Sequence, residues 1–187
     1  MKGEDTAAVA VFGDGATNIG AFHEGLNLAQ VWRLPVVFLC ENNLYGEYSP
    51  IASTTAVTEL AERARSYAMP SMAVDGQYSD AVAEAIGATL ERARDGGGPS
   101  FIEAKTYRYA GHSRSDIGAY RPAGELDAWK TRDPIRLLEA RLVDDGVLDA
   151  AACARLVEET QERVNAAVAS AVDQPEPGPF DMFANRA

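Results

Sequence analysis

Hydrophobic positions along the chain fall into short runs that stop at glycine or asparagine, interleaved with stretches of helical period. Ala7 to Phe12 is such a run and ends at Gly13-Asp14-Gly15; from Ile19 to Trp32, Phe22, Leu26 and Ala29 recur at helical spacing. Strand, turn and helix are therefore expected in that order. Pro35 to Cys40 is apolar throughout, as in a parallel strand covered on both faces, and it ends at Glu41-Asn42-Asn43. Residues 44–54 are rich in Gly, Pro, Ser, Thr and Tyr and read as a loop, followed by a helix over about 56–67 and a short strand at Met72 to Val74. Ser79 to Arg94 carries Val82, Ala85, Ile86, Thr89 and Ala93 on one helical face and is stopped by Gly96-Gly97-Gly98-Pro99. Phe101 to Thr106 is the next strand. The alternation predicts an α/β fold with a mainly parallel sheet sandwiched by helices. Phe22, Trp32 and Phe38 are expected in its core, and His23 is expected as a packed or surface histidine.

Beyond Tyr107 the period is lost up to Gly124, over a stretch holding several glycines and a proline. Two helices follow. Asp133-Pro134 is a good helix start, and Asp149 can cap a longer helix through Val172 with Cys153, Leu156, Thr160, Val164, Ala167 and Ala171 on one face. The proline-rich tail from Asp173 cannot continue it.

Charge narrows the partners. The 187 residues carry a net charge of −11, which argues against nucleic acid and anionic membranes, since both recruit basic patches. No apolar run approaches the roughly 20 residues needed to span a bilayer, and Met1 to Asp5 is unlike the start of a secretory leader. Cys40 and Cys153 lie in no metal-like spacing, so a cytoplasmic, reducing setting is expected.

In open parallel sheets ligands bind at the carboxyl ends of the strands, which directs attention to Asp14 and to Asn42-Asn43. Gly15 lets backbone approach a ligand closely, and the helix beginning near Asn18 offers its positive end to an anion such as a diphosphate. Asp14 would repel that anion by several kcal/mol at an intermediate dielectric constant unless a cation lay between them. Mg²⁺ suits the position, because it takes one or two carboxylates together with phosphate, carbonyl and water oxygens. Asp14, Asn43 and the carbonyl of Tyr45 are the available donors. The rival reading is a dinucleotide fold with Glu41 on a ribose, against which Asn18 occupies the third glycine position.

Gly13-Asp14-Gly15, 26 intervening residues, then Asn42-Asn43 resembles the signature of thiamine diphosphate enzymes. The longer stretches Gly-Asp-Gly-Ala-Thr-Asn-Ile-Gly-Ala-Phe-His-Glu, Trp-Arg-Leu-Pro-Val-Val-Phe-Leu-Cys-Glu-Asn-Asn-Leu-Tyr-Gly and Tyr-Arg-Tyr-Ala-Gly-His-Ser-Arg-Ser-Asp resemble the α subunit of the E1 component of 2-oxo acid dehydrogenases, of pyruvate or acetoin type. The resemblance implies a thiamine diphosphate-binding, diphosphate-domain fold with C-terminal helices. It places Mg²⁺ on Asp14, Asn43 and the Tyr45 carbonyl, and Gly13, Gly15 and Ala16 beside the diphosphate. Residues 1–124 would form the diphosphate- and Mg²⁺-binding domain with its 107–124 active-site loop, and residues 125–187 a helical extension of it.

His112 falls in that loop, where Lys105, Arg108, Arg114 and Arg121 against Asp116 give a local charge of +3. By resemblance it lies over the cofactor, touches the phosphate and aids proton transfer and acyl handover. Ser113 and Ser115 occupy positions that phosphorylation switches in mitochondrial relatives, although the 116–120 stretch is a residue shorter here. The family's α subunits are about twice as long, so the expected chain is a C-terminal half, incomplete at the N-terminal edge of its sheet. Its expected partners are a chain or segment supplying the N-terminal half, an E1 β-type subunit carrying the pyrimidine domain, and a lipoyl-bearing E2 or an acyl carrier protein. The activity implied is oxidative decarboxylation of pyruvate or a similar 2-oxo acid with acyl transfer to lipoyl-E2. The alternatives are acetoin cleavage, acyl delivery to a carrier protein, or a non-catalytic assembly or regulatory subunit.

Overall fold

The computed structural model describes residues 6–176, 178 and 179; the readings of Met1 to Asp5 and of Pro177 lie outside them. In chain order the elements are β1 (Ala8–Gly13), a 3₁₀ turn (Asp14–Asn18), α1 (Gly20–Val31), β2 (Val36–Asn42), a small hairpin β3 (Tyr45–Gly46) and β4 (Ser49–Pro50), and α2 (Ile51–Thr54). They continue with α3 (Leu60–Arg65), β5 (Ser71–Asp75), α4 (Ser79–Arg94), β6 (Ser100–Lys105), α5 (Glu125–Lys130), α6 (Pro134–Asp144) and α7 (Ala150–Val172). The main sheet has the order β1-β2-β6-β5 with every pairing parallel, so the expected α/β class is met.

The pleat explains why β2 and β6 carry apolar side chains on both faces. Along β2 and β6, Cys40 and Phe101 face a cluster with Phe22 and Leu26 of α1 and Leu60 and Ala64 of α3. Val37, Leu39, Ile102 and Ala104 face the opposite cluster, with Ala85 of α4. Burying each large side chain of this kind contributes about 1.5–3 kcal/mol. Strand β1 lies at the sheet edge, and Val9 and Val11 on it remain exposed.

Several local expectations are corrected. Trp32 is 62% exposed rather than core. The buried positions Phe22, Leu26 and Ala29 step by four and three, so the next position on that face is 33, and Trp32 lies off it at the helix end. Strand, turn and helix follow in the expected order, the turn being a 3₁₀ helix over Asp14–Asn18, and α1 starts at Gly20 rather than near Asn18. The helix expected over 56–67 shrinks to α3, because Thr55, Val57 and Thr58 are β-branched and disfavour helix. Residues 44–54 hold the hairpin and a helical turn rather than a plain loop. Helix α5, six residues long, is too short to register as a period.

The chain divides into two compact units, Met1–Leu138 and Glu139–Ala187. In the second, the Asp149 carboxylate accepts the Ala152 N–H at 2.7 Å and caps α7 as expected. On the apolar face of α7 only Cys153 is buried, with Leu156 and Val164 half exposed. Among the described residues no helix is long and apolar enough to cross a membrane.

Candidate metal and diphosphate site

Gly13 pairs with Glu41 across β1 and β2, so the two strands end at one level and Asp14 leaves the sheet beside Asn42-Asn43. A cavity of about 610 Å³ opens there, lined by Gly13, Asp14, Gly15, Ala16, Asn43, Tyr45 and His112, which are the seven positions singled out from the sequence. Glu41 is exposed and is not among the lining residues.

Asp14 opens the 3₁₀ turn, its carbonyl held by the Thr17 hydroxyl at 2.7 Å, and its side chain is only 2% exposed. Burial pushes its pKa above the usual 3.8; its own backbone N–H, that of Asn43 and the charge of Arg108 oppose the shift, and Glu103 adds to it. Asn42 and Asn43 form consecutive Asx turns: Asn42 Oδ1 accepts the Leu44 N–H and Asn43 Oδ1 the Tyr45 N–H, both at 3.2 Å. Leu44 adopts a φ of +73° between them, and the chain swings back over the 3₁₀ turn. There the backbones touch. A Cβ on Gly15 would stand 3.1 Å from Gly46 Cα, and one on Gly46 would stand 3.2 Å from Gly15 Cα.

This donor set fits a hard divalent cation. Asp14 carries a carboxylate, forms no ion pair among the described residues and faces the Asn43 N–H at 3.4 Å. Asn43 and Tyr45 line the same cavity. Among the described residues no three His, Cys, Asp or Glu side chains gather as a metal cluster. One carboxylate with neutral oxygens instead leaves coordination positions for phosphate and water, the usual shell of Mg²⁺.

The irregular 107–124 segment is folded on itself. The Asp116 carboxylate accepts from His112 N–H at 2.7 Å, Gly118 N–H at 2.8 Å and Tyr120 Oη at 2.8 Å, and these bonds, the first foremost, hold its pKa below the usual value. Any side chain at Gly111 would run into the Asp116 backbone, so a glycine is required there. Arg108 donates to His112 Nδ1 at 3.3 Å, to the Glu47 carbonyl at 2.6 Å and to Tyr120 Oη at 2.9 Å. The +3 patch expected around His112 is dispersed by these contacts. Lys105 pairs with Glu59, Arg121 donates to the carbonyls of 108, 109 and 110, and of the four cations Arg108 alone lines the cavity. Ser113 and Ser115 Oγ atoms lie 3.1 Å apart and both residues are exposed. His23 packs between Tyr67 Oη at 2.6 Å and Arg63 at 3.2 Å, as expected of a structural histidine.

Three supporting residues escaped the sequence reading. Glu125 at the start of α5 accepts from Tyr45 Oη at 2.5 Å and Tyr107 Oη at 3.0 Å. Burial raises both phenol pKa values, with the Glu125 bond adding to it, and Tyr107 reaches about 12. Arg63 of α3 grips the 3₁₀ turn through the Thr17 carbonyl at 2.8 Å and Thr17 Oγ1 at 2.9 Å. Glu103 on β6 is fully buried. A charged residue inside an apolar strand was a legible signal in Phe-Ile-Glu-Ala, because a buried carboxylate must find donors; nothing local marked the other two.

The chain is 42% identical to the α subunit of acetoin:2,6-dichlorophenolindophenol oxidoreductase from Bacillus subtilis over 97% of its own length and 54% of the relative. It is 35% identical to the pyruvate dehydrogenase E1 component subunit α of Rhizobium meliloti over 97% of the chain and 53% of the relative. The 2-oxoisovalerate dehydrogenase α subunit of Bacillus subtilis is 37% identical over 96% of the chain and 54% of the relative. The chain thus spans about half the length of these curated relatives. The model of the dehydrogenase E1 component matches residues 1–180, and with it the chain belongs to the dehydrogenase E1 component family.

Proposed function

We propose that this chain is the diphosphate- and Mg²⁺-binding part of a thiamine diphosphate-dependent E1 component that oxidatively decarboxylates pyruvate or a related 2-oxo acid and hands the acyl group to a lipoyl-bearing E2. The observation that carries the reading is the Asp14 carboxylate, buried, outside any ion pair among the described residues, and facing one cavity with Asn43, Tyr45 and the Gly13 to Ala16 turn. A carboxylate in that position is costly unless a cation joins it. Asp14, Asn43 and the Tyr45 carbonyl would hold Mg²⁺, while Gly13, Gly15 and Ala16 leave room for the diphosphate. When bound, thiamine diphosphate supplies the electron sink for decarboxylation.

His112 is the proton-handling residue of this reading. Arg108 has no acceptor to offer, so its N–H donates to His112 Nδ1, and the neutral ring then carries its proton on Nε2. Nε2–H is thus the donor that the neutral ring presents, with Glu47 Oε1 at 4.0 Å. Residues 1–124 carry the site and residues 125–187 form the helical extension.

The edge of β1 supports a partner segment. Val9 and Val11 are exposed there, and Phe12, Ile19, Phe22, Leu26 and Phe38 line an apolar cleft of about 240 Å³ beside the strand. Among the described residues no strand pairs with the outer edge of β1, and an apolar edge invites pairing with a further strand, for which the half of the relatives' length not covered here is the natural source. A β-type subunit with the pyrimidine domain would complete the active site. The buried thiols of Cys40 and Cys153, both unpaired, suit a reducing cytoplasm.

Acetoin cleavage is the second reading, favoured by the 42% and 39% identity to acetoin oxidoreductase α subunits. Calorimetry with Mg²⁺ and thiamine diphosphate, on the chain and on the chain with its partners, tests the site: binding is expected and is lost in Asp14→Ala and Asn43→Ala. Unchanged binding in both variants would overturn the assignment. Turnover of pyruvate against acetoin by the reconstituted complex, with a dye as electron acceptor, separates the two activities.

A further inference from the structure

Glu103 has no exposed surface, and both of its carboxylate oxygens are occupied by donors that are not cations. Oε1 accepts from Asn42 Nδ2 at 2.7 Å and Oε2 from the Ala61 N–H, in the first turn of α3, at 2.9 Å. Asn42 is therefore gripped at both ends, since its Oδ1 accepts the Leu44 N–H. With an acceptor on the Glu103 side, the amide has one satisfactory orientation: Nδ2 toward Glu103, Oδ1 toward Leu44. That orientation closes the first Asx turn, places Leu44 at φ +73°, and directs the chain so that Asn43 and Tyr45 line the cavity with Asp14. The same carboxylate holds α3 from the other side, two residues before Arg63, which grips Thr17 in the 3₁₀ turn that Asp14 opens.

We infer that Glu103 is a positioning residue for the Asp14, Asn43 and Tyr45 site, acting through Asn42 to set the turn that carries two of the three donors. Its consequence for cofactor binding rests on the function proposed above; its consequence for the turn does not.

The donor and acceptor pattern yields a reciprocal test. Glu103→Gln is nearly isosteric but replaces one acceptor by an NH₂ group, which meets either Asn42 Nδ2 or the Ala61 N–H, donor against donor. Asn42→Asp alone sets two carboxylates against each other inside the sheet. Combined, Glu103→Gln and Asn42→Asp restore the pairing with its direction reversed: the new amide gives its carbonyl to the Ala61 N–H and its NH₂ to the new carboxylate, whose other oxygen still accepts from Leu44. Amide hydrogen exchange on the cofactor-free full chain, read on peptides covering residues 42–46, is expected to quicken at least tenfold in each single variant and to return within threefold of the parent in the double variant. Peptides from α4 should not change. Affinity for Mg²⁺ with thiamine diphosphate is expected to follow the same course, weaker by at least tenfold in the singles and recovered in the double.

A residue serving bulk stability alone would lower the melting temperature without this reciprocal recovery. Unchanged exchange at 42–46 in Glu103→Gln, or a double variant as impaired as the singles, would overturn the inference. If Glu103→Gln fails to fold, a folded double variant with parental exchange supports it and an unfolded one overturns it. Should the parent chain and its complex bind no cofactor, the proposed function falls, while the exchange data still decide the role of Glu103.

Discussion

Gly13 and Gly15 flank Asp14 symmetrically in the sequence, yet the structure assigns them different burdens, and alanine at each position measures the difference. Gly15 has an ordinary backbone conformation, so alanine there meets no dihedral penalty. Its Cβ would nevertheless stand 3.1 Å from Gly46 Cα, where normal contacts begin near 3.4 Å, and the obstacle is backbone that cannot rotate aside. The hairpin must retreat by a few tenths of an ångström, an overpacking that costs about 1–2 kcal/mol. For a chain of this length that lowers the melting temperature by roughly 2–8 °C. Gly46 adjoins Tyr45, so the retreat also moves the carbonyl offered to the metal. Because Mg²⁺ tolerates little departure from oxygen distances of about 2.0–2.1 Å, affinity for Mg²⁺ with thiamine diphosphate should drop by about tenfold or more. At Gly13 a Cβ meets nothing within 4 Å, and Gly13→Ala should leave stability within about 0.5 kcal/mol of the parent. Denaturant unfolding and calorimetry of the two variants side by side provide the assay. Equal destabilisation by both, or parental stability and affinity in Gly15→Ala, would refute the backbone-contact reasoning.

Other consequences are equally open to measurement. Asp14 has a folded pKa raised above 3.8 by burial, so the native state holds its proton more tightly than the unfolded chain; the group's contribution is most favourable at low pH and declines as pH rises through the raised value. Asp14→Asn should therefore raise the melting temperature of the ligand-free chain at neutral pH while abolishing Mg²⁺ binding, and in the parent Mg²⁺ affinity should climb about tenfold per pH unit until Asp14 is fully ionised. Glu125→Ala strands the Tyr45 hydroxyl on a residue only 4% exposed and should cost about 1–3 kcal/mol in chemical denaturation, with Tyr45→Phe in the same background recovering part of the loss. Asp116→Asn weakens the acceptor shared by His112, Gly118 and Tyr120 and should speed proteolysis of the 107–124 segment; in the parent the same loosening should appear only as pH falls through the depressed pKa of Asp116, below 3.8.

Some of this protein was determined by the order of its residues. The parallel α/β class follows from the alternation of strands and helices and from β2, whose apolar run leaves no polar face for water, and the bounds of α4 match its apolar period because burial selects positions such as Ala85, Thr89 and Ala93 at helical intervals. Asp14, Gly15, Asn43 and Tyr45 were legible as candidates because a carboxylate beside a diphosphate demands a cation, further oxygen donors and close backbone approach at the strand ends, whereas Ala16 and the role of His112 rested on resemblance to the family. Other features depended on contacts that no local window contains. The cations expected around His112 were drawn elsewhere once Lys105 met Glu59, 46 residues away, and Arg121 turned to backbone carbonyls. Glu103, 61 residues from Asn42, acquires a meaning only when parallel pairing sets β6 beside β2. Burial period and strand-end chemistry are written along the chain; which donor meets which acceptor is decided by register and packing across the sheet, and that is where the support of the candidate metal site resides.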